Sequence, residues 1–208
     1  MLRAELHVHS SFSDGRDGVR KILEAAVEKK LEVIAITDHD TVQGSLEAID
    51  IVKEEHLPLK VLPGCEVTAS TGHVLVYGIT KDIEPRMSVE ETCKIARELG
   101  GVCFLAHPFD FIRKGSVRLK DFKMVDGIET FNAKSYFNFL AKRYAKKLSK
   151  PEIAGSDAHS ARAVGLAINY LPDEFDLLNA LFHARFDGRR VSIRERLAFL
   201  RFRLNQRL

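Results

Sequence analysis

The chain has 208 residues, 45% of them hydrophobic, and a formal net charge of +3, so it can bury a full core and is most simply one domain. It has no basic leader before a long apolar stretch and no run of about eighteen apolar residues, which excludes a signal peptide and a membrane span and predicts a cytoplasmic protein. Its three cysteines have no CxxC spacing, which argues against a disulfide framework or a thiolate zinc site.

The C-terminal segment differs in charge from the rest of the chain. From Arg189 to the end, seven arginines accompany one acidic residue, and residues 1–188 carry a net charge of about −3. Apolar residues in this segment recur at helical spacing, at Ile193, Leu197, Leu200 and Leu204. We predict one domain over residues 1–188 and an Arg-rich helix over 189–208 that packs on it. In the alternative interpretation, these arginines bind phosphate or RNA.

The predicted elements alternate between short apolar strands and longer helical patterns. Strands are predicted over residues 4–9, 32–37, 60–66, 73–79, 102–106, 127–131 and 152–155. Helices are predicted over residues 18–30, 43–55, 88–99, 135–148 and 174–185. Ser88 and Glu91 form a capping-box signature at the start of the third helix. The repeated β-then-α order predicts a mostly parallel sheet covered by helices.

Polar residues at the ends of these strands favour a barrel over an open sheet. The residues in question are His39, Glu66, His107, Asn132, Asp157 and His159. In β/α barrels the chemistry lies at the C-terminal ends of the strands, around the whole ring. Because the chain is shorter than the about 250 residues of an eight-unit barrel, we predict an α/β fold with a distorted, TIM-like (β/α)7 barrel.

The stretch "ELHVHSSFSDG" places two histidines on the first predicted strand. Successive side chains on a strand point to opposite faces, so His7 and His9 point the same way, whereas Leu6 and Val8 point into the core. Two imidazoles on one face suit a metal ion. They do not complete a metal site, so further ligands are expected downstream.

Nine residues are candidate metal ligands: His7, His9, Asp14, His39, Glu66, His73, His107, Asp157 and His159. Imidazoles and carboxylates without cysteine suit manganese, zinc or iron, and nine ligands exceed the needs of one ion, which indicates two or three. His73 begins a strand, and the Ser-Thr-Gly before it can form a hairpin that changes its direction. His56 and His183 have no acidic companions and are interpreted as structural or solvent-facing. Asp38 and Asp40 are predicted to orient imidazoles.

The strings "ELHVHSSFSDG", "AITDHDTVQG", "PGCEV", "GHVLVYG", "LAHP" and "GSDAH" cover residues 5–159 in this order. They resemble the PHP family, named for polymerase and histidinol phosphatase, and within it the TrpH-like metal-dependent phosphoesterases. The resemblance implies a distorted seven-stranded β/α barrel with a trinuclear centre. It does not extend to the Arg-rich C-terminal segment.

The resemblance also implies how the ligands divide among the ions. One ion would be held by His7, His9, Glu66 and Asp157, and Glu66 would bridge to a second ion, held by His73 and His107. Asp14, His39 and His159 would hold the third. Glu66, Asp157, His159 and His39 are the candidate catalytic residues, around a metal-bound hydroxide that attacks phosphorus. Activity is expected to fall as the pH drops through about 6.5, where histidines protonate.

Positive side chains near the predicted site are candidates for binding the substrate: Arg162 first, then Arg113 and Lys134, with Lys114 beside them. The implied substrate is a small phosphomonoester, such as a nucleoside 3′,5′-bisphosphate or the 5′ end of a short RNA. Three alternatives stay open: a histidinol-phosphate phosphatase, a metal-dependent amidohydrolase and a non-catalytic RNA-binding module. The sequence does not indicate the native metal or the oligomeric state.

Overall fold

The computed structural model describes residues 1–191. The strands are Leu2–Val8 (β1), Val33–Ile36 (β2), Lys60–Val61 (β3), Gly64–Thr68 (β4), His73–Tyr77 (β5), Val102–Leu105 (β6), Gly127–Asn132 (β7), Glu152–Gly155 (β8), Ala167–Leu171 (β9) and Arg185–Gly188 (β10). The α-helices are Val19–Glu28 (α1), Gln43–Glu54 (α2), Val89–Glu98 (α3), Leu119–Met124 (α4), Asn138–Leu148 (α5) and Leu177–Ala180 (α6). Three short 3-10 turns lie at Phe111–Arg113, Ala161–Ala163 and Leu181–His183.

The strands form two five-stranded sheets. The first sheet has the order β10-β9-β1-β2-β3, and the second has the order β4-β5-β6-β7-β8. Strands β1, β2 and β3 run parallel, as do β6, β7 and β8, whereas the pairs β1–β9, β9–β10, β4–β5 and β5–β6 are antiparallel. The predicted α/β class is confirmed. The expectation of a mostly parallel sheet is wrong, because the hairpin β4–β5 and the edge strands β9 and β10 reverse direction.

The two sheets meet through two isolated parallel bridges. One joins Val8 to Ala158, and the other joins His39 to Glu66. The phenol of Tyr77, in the second sheet, also donates a hydrogen bond to the carbonyl of Leu6, in the first (2.9 Å). Within residues 1–191 no single sheet closes on itself as a continuous hydrogen-bonded barrel. Both bridges lie next to predicted ligands, so the sheets come together at the candidate site.

Apolar side chains fill the space between the strands and the covering helices. Helix α1 buries Val19, Ile22, Leu23 and Ala26 on one face, which follows its helical spacing of apolar residues. Inside the strands, the rings of Tyr77 and Phe104 pack edge to face with centroids 5.8 Å apart. The packed interior leaves the polar side chains at one edge of the strands.

Two predicted elements differ from the structure because of local chemistry. The predicted strand 60–66 is two strands, interrupted at Pro63, which has no N–H to donate to a ladder. The predicted helix 174–185 is shorter: Asp176 caps α6, Leu181–His183 forms a 3-10 turn, and the chain then pairs with β9 as β10.

Helix α3 begins as its sequence predicts. The Ser88 hydroxyl accepts a hydrogen bond from the Glu91 N–H (3.2 Å), and the Glu91 carboxylate accepts one from the Ser88 N–H (3.0 Å). None of the helices within residues 1–191 has the length and apolar character needed to span a bilayer. The predicted Arg-rich helix lies outside the described residues, apart from positions 189–191.

Candidate metal centre

His7 and His9 project from one face of β1 and its end, as alternation on a strand requires. Both side chains are fully buried, and their Nε2 atoms lie 3.1 Å apart. Two buried imidazoles so close are well placed to bind one ion, because each offers a nitrogen to the same point.

Glu66 on β4 lies at the middle of the candidate site, in contact with five imidazoles. Its Oε2 is 3.3 Å from His7 Nε2, 3.2 Å from His9 Nε2 and 3.4 Å from His39 Nδ1. Its Oε1 is 3.3 Å from His73 Nδ1 and 3.0 Å from His107 Nε2. Each carboxylate oxygen therefore faces a different set of imidazole nitrogens.

Asp14 and His159 form the other side of the centre. Asp14 Oδ1 lies 3.0 Å from His159 Nε2 and 3.8 Å from His39 Nε2. The turn that carries Asp14 is tied to this side, because the Arg16 N–H donates to the His159 carbonyl (2.8 Å). Asp157 Oδ1 is 3.2 Å from His159 Nδ1 and 3.6 Å from His9 Nε2. The turn after β1 thus returns Asp14 to the histidines, as the sequence suggested.

His73 reaches the centre through the hairpin β4–β5. Because β5 runs antiparallel to β4, its first residue pairs with the last residue of β4, Thr68. The start of β5 therefore lies at the same edge as the C-terminal ends of the parallel strands, which explains how a residue that begins a strand joins residues that follow strands.

Three groups of side chains place their ligand atoms within 4.8 Å of one another: His7, His9 and Glu66; His39, Glu66 and His73; and His9, Asp14, His39 and His159. Each group draws from both sheets. His7, His9, Asp14 and His39 come from the first sheet or the turns after its strands, and the other ligands come from the second.

The polar atoms of the centre fit metal ions better than they fit one another. Among residues 1–191, buried atoms without a hydrogen bond of normal geometry include His9 Nδ1, Asp14 Oδ1, His39 Nδ1, Glu66 Oε2, His73 Nδ1 and His107 Nδ1. Unsatisfied buried polar atoms are costly, and such a concentration requires a ligand that satisfies them. Imidazole nitrogens and carboxylate oxygens are the ligands that manganese, zinc and iron accept.

The protonation of the centre follows from burial and from its own charges. Burial, together with the nearby His159, lowers the pKa of His9 to about 3, so this imidazole stays neutral. Burial raises the pKa of Glu66, but the surrounding histidines, His7 and His73 foremost, outweigh it and hold the pKa well below its usual value. A neutral His9 and an ionised Glu66 are the forms that bind metal.

Two ligands are more basic than free histidine. Burial lowers the pKa of His7, but the carboxylates of Glu129 and Glu66 outweigh it and raise the pKa well above its usual value. The pKa of His107 is also lowered by burial and raised, on balance, by Glu66 and Glu129. These imidazoles must release protons before they can bind a metal ion.

Glu129 is the principal residue of the centre that the sequence analysis missed. Its Oε1 lies 2.9 Å from His7 Nδ1, and its Oε2 accepts hydrogen bonds from the His107 N–H (2.7 Å) and the Asn132 amide (3.1 Å). The signal was an acidic residue inside the buried strand β7, rather than one that follows a strand.

Within residues 1–191, the hydrogen bonds found for Asp38 and Asp40 join them to backbone and hydroxyl groups rather than to the imidazoles they were predicted to orient. Asp38 accepts hydrogen bonds from the backbone and hydroxyl of Ser10 (2.7 and 2.6 Å) and from the hydroxyl of Ser13 (2.6 Å). Asp40 accepts one from the Thr68 N–H (2.6 Å). Both carboxylates instead fix the backbone that surrounds the ligands.

The candidate substrate-binding residues differ in their distance from the candidate metal centre. Lys134 Nζ lies 3.0 Å from Asp157 Oδ1 and 2.6 Å from His159 Nδ1, and Arg113 Nε is 3.9 Å from Asp157 Oδ2. Arg162 is exposed in the turn Ala161–Ala163, where its carbonyl accepts a hydrogen bond from Lys29. Lys134 and Arg113 border the centre, whereas no contact between the Arg162 side chain and the centre is found in the described part of the chain.

A cavity of about 380 Å³ opens above the ligands. Its lining residues are Ser13, Asp14, His39, Thr68, His73 and Lys114. Lys114 was a lesser candidate in the sequence analysis, and it contributes a positive charge to the mouth of the site. His56 and His183 are exposed and lie away from this centre, as expected.

The amino-acid sequence of this chain matches known protein families. The PHP domain family matches residues 5–148, and a PHP-associated family matches residues 135–185. An uncharacterised protein of Methanocaldococcus jannaschii is 33% identical over 144 residues, which are 64% of this chain and 82% of that protein.

Two relatives with named activities match over shorter stretches. The 3′,5′-nucleoside bisphosphate phosphatase of Chromobacterium violaceum is 32% identical over 41% of this chain and 29% of its own length. The 5′-3′ exoribonuclease Rnm of Escherichia coli is 31% identical over 38% of this chain and 28% of its own length. The match therefore spans less than a third of each of these two proteins.

Comparison of folds identifies a solved structure with a similar fold. A two-domain protein from Bacteroides vulgatus, described as containing a predicted PHP-like metal-dependent phosphoesterase, superposes with a TM-score of 0.77 and 17% identity. The superposition covers 90% of this chain and 65% of that one.

Proposed function

The chain belongs to the PHP family, and on that premise we propose that it is a metal-dependent phosphoesterase that hydrolyses a small phosphomonoester. One observation carries the proposal: five imidazoles converge on Glu66, and within residues 1–191 several buried polar atoms there, among them His9 Nδ1, His73 Nδ1 and Glu66 Oε2, have no hydrogen bond. The proposed ligands are His7, His9, Asp14, His39, Glu66, His73, His107, Asp157 and His159. We further propose that the two sheets together form the distorted seven-stranded barrel that the sequence suggests.

The charges of the centre support a metal-dependent reaction. Glu66, Glu129, Asp14 and Asp157 bring four carboxylates together, against the cations of Lys134 and Arg113. A phosphate ester would be repelled by this excess of negative charge. Two or three divalent ions would reverse it, lower the pKa of bound water and neutralise charge on the phosphoryl group.

The residues of this chain divide the remaining tasks. Glu129 fixes the ring of His7 through Nδ1, so that Nε2 points to the centre. Lys134 and Arg113 stand beside Asp157, where they can donate hydrogen bonds to phosphoryl oxygens. His159 and His39 flank Asp14, and His39 also lines the cavity, where it is placed to contact the leaving group. Glu66 is buried, which shields its carboxylate from bulk water.

The preferred substrates are a nucleoside 3′,5′-bisphosphate, which the name of one relative gives as its substrate, and the 5′ end of a short RNA, where the relative named a 5′-3′ exoribonuclease begins to act. The reaction proposed for the RNA is removal of its terminal 5′ phosphate, which differs from the phosphodiester cleavage of an exoribonuclease. Histidinol phosphate is the alternative substrate. An amidohydrolase is less well supported, because its bridging position is typically a lysine, and here Glu66 lies at the centre whereas Lys134 contacts Asp157.

The test is phosphate release from purified protein reconstituted separately with manganese and zinc. The substrates are a nucleoside 3′,5′-bisphosphate, histidinol phosphate and a 5′-phosphorylated short RNA. His107→Ala is assayed beside wild type, with His56→Ala, an exposed histidine, as the matched control. We expect release from one substrate that disappears in His107→Ala and persists in His56→Ala.

If two or three ions bind per chain and none of these substrates is hydrolysed, the phosphomonoesterase proposal is wrong. The amidohydrolase and the RNA-binding module would then be the functions to examine.

A further inference from the structure

Exposed aromatic side chains border the metal centre on one side. Phe111 is 65% exposed, Tyr136 52% and Phe139 67%, and the rings of Phe111 and Phe137 lie with centroids 4.8 Å apart. We call these four residues the aromatic ledge. Grouped exposed aromatics are uncommon on a protein surface unless they bind something.

The ledge is joined to the metal centre through Arg113 and Lys134. Arg113 donates a hydrogen bond to the carbonyl of Lys134 (3.3 Å), and both side chains approach Asp157, at 3.9 and 3.0 Å. Phe111 lies two residues before Arg113 and Tyr136 two residues after Lys134, so each is separated along the backbone from a cation of the centre by at most about 7 Å. Aromatic rings and phosphate-binding cations therefore lie on the same two segments.

A planar group already contacts the ledge. The guanidinium of Arg190 lies over the ring of Tyr136, 5.6 Å from its centroid. Open ring faces beside cations are typical of surfaces that hold single-stranded nucleic acid, because bases stack on the rings while the cations hold the backbone. A protein partner would require no phosphate site beside its aromatic contacts.

We propose that the aromatic ledge stacks the terminal bases of a single-stranded oligonucleotide whose 5′ phosphate lies at the metal centre. This inference rests on the proposed function and narrows its substrate class. It predicts that the protein distinguishes an oligonucleotide with bases from one of equal charge without them.

The test is binding of fluorescent short RNA to the full-length protein with manganese, measured by anisotropy. The RNA carries a 5′ phosphate and phosphorothioate linkages, and its counterpart has abasic residues at the first two positions. Phe111→Ala should weaken binding of the complete RNA by about 5- to 100-fold and leave binding of the abasic RNA unchanged. Phe175→Ala is the matched control, since Phe175 is an exposed aromatic that stacks on His183, away from the centre.

Phe139→Ala provides a second variant, because its ring is the most exposed of the ledge and its loss cannot open the core. Equal binding of the complete and abasic RNAs by wild type would overturn the inference. So would a fall in the Tm of Phe111→Ala and Phe139→Ala with unchanged RNA affinity, which would mean that the ledge is covered by the chain itself.

The two proposals fail in different ways. Base-dependent binding without release of the 5′ phosphate from any RNA would support the ledge and contradict the phosphoesterase. Phosphate release together with base-independent binding would support the phosphoesterase and contradict the aromatic ledge.

Discussion

Two regions of buried polar groups within residues 1–191 differ in how fully their hydrogen bonds are satisfied. The first region, which we call the seam cluster, contains Glu5 and Asn169 behind the metal centre. Glu5 accepts hydrogen bonds from four backbone N–H groups, at 2.9 to 3.3 Å. Asn169 pairs with both the N–H and the carbonyl of Ala154, at 2.9 and 2.7 Å. The candidate metal centre is also largely buried but, within residues 1–191, leaves several polar atoms without hydrogen bonds.

The difference separates structural from functional polar groups. A satisfied buried group stabilises one arrangement of the backbone, whereas an unsatisfied cluster costs free energy until a ligand arrives. Loss of a seam residue should therefore lower stability, and loss of a central residue should lower metal binding and activity.

The largest effect is expected for Glu66→Gln. The amide keeps the shape of the side chain but loses the charge that faces five imidazoles. Phosphate release should fall more than about 100-fold, and metal analysis should find fewer ions per chain.

Glu24→Gln, which removes an exposed carboxylate from α1, is the control. A Glu66→Gln protein with full metal content and full activity would show that this carboxylate is not the bridge.

Asn169→Ala should lower the stability of the protein and leave its metal binding unchanged. The substitution removes the amide that hydrogen-bonds both the N–H and the carbonyl of buried Ala154. This loss should lower the free energy of unfolding by about 2–4 kcal/mol. Thermal unfolding should show a Tm lower by roughly 5–15 °C, and metal content should stay at the wild-type level. Loss of metal with an unchanged Tm would contradict the division between the two regions. The exposed Asn179→Ala serves for comparison.

Glu129→Gln tests a residue that supports the ligands without belonging to the proposed set. The amide cannot accept from both His7 and the His107 N–H in the same way as the carboxylate. Metal affinity should fall by about 10- to 100-fold, measured by competition with a chelating dye. An unchanged affinity would assign Glu129 to folding alone.

The smallest expected effect is the pH dependence of stabilisation by metal. The raised pKa values of His7 and His107 stabilise the metal-free protein while these histidines are protonated. This stabilisation is complete at a pH below the pKa that these histidines have in the unfolded chain. It is lost as the pH rises through their higher pKa in the folded protein. Metal binding needs the neutral forms, so protons compete with metal at low pH.

The rise in Tm on adding manganese, relative to chelator, should therefore be several degrees larger at pH 8 than at pH 6. The same rise at both values would show that these histidines bind no metal.

Sequence reasoning correctly located the residues whose positions follow from the periodicity and the ends of strands. His7 and His9 share a face because alternate residues on a strand must, and the contacts of His107, Asp157 and His159 with the centre follow from their places after strands. The PHP family was identified from short strings around the same residues, and this assignment is confirmed.

The features that sequence reasoning missed depend on long-range pairing. Strands β9 and β10 have no clear alternation of apolar and polar residues. Strand β9 pairs with β1, and Arg185–Gly188 pairs with β9 in turn. Glu129 is recognised as a partner of His7 only when the second sheet, which contains β7, is placed against the first, which contains β1. The exposed position of Arg162 likewise follows from the turn after β8 rather than from its distance along the chain.

Each of the three donor groups draws its atoms from both sheets, which has a consequence for the lifetime of the native state. An ion bound by such a group would act as a clamp, because the sheets could separate only by releasing it. Unfolding would then be slowed in proportion to metal occupancy, and resistance to proteolysis would depend on the supply of metal as well as on the core. The bound ions would then also hold the two sheets together.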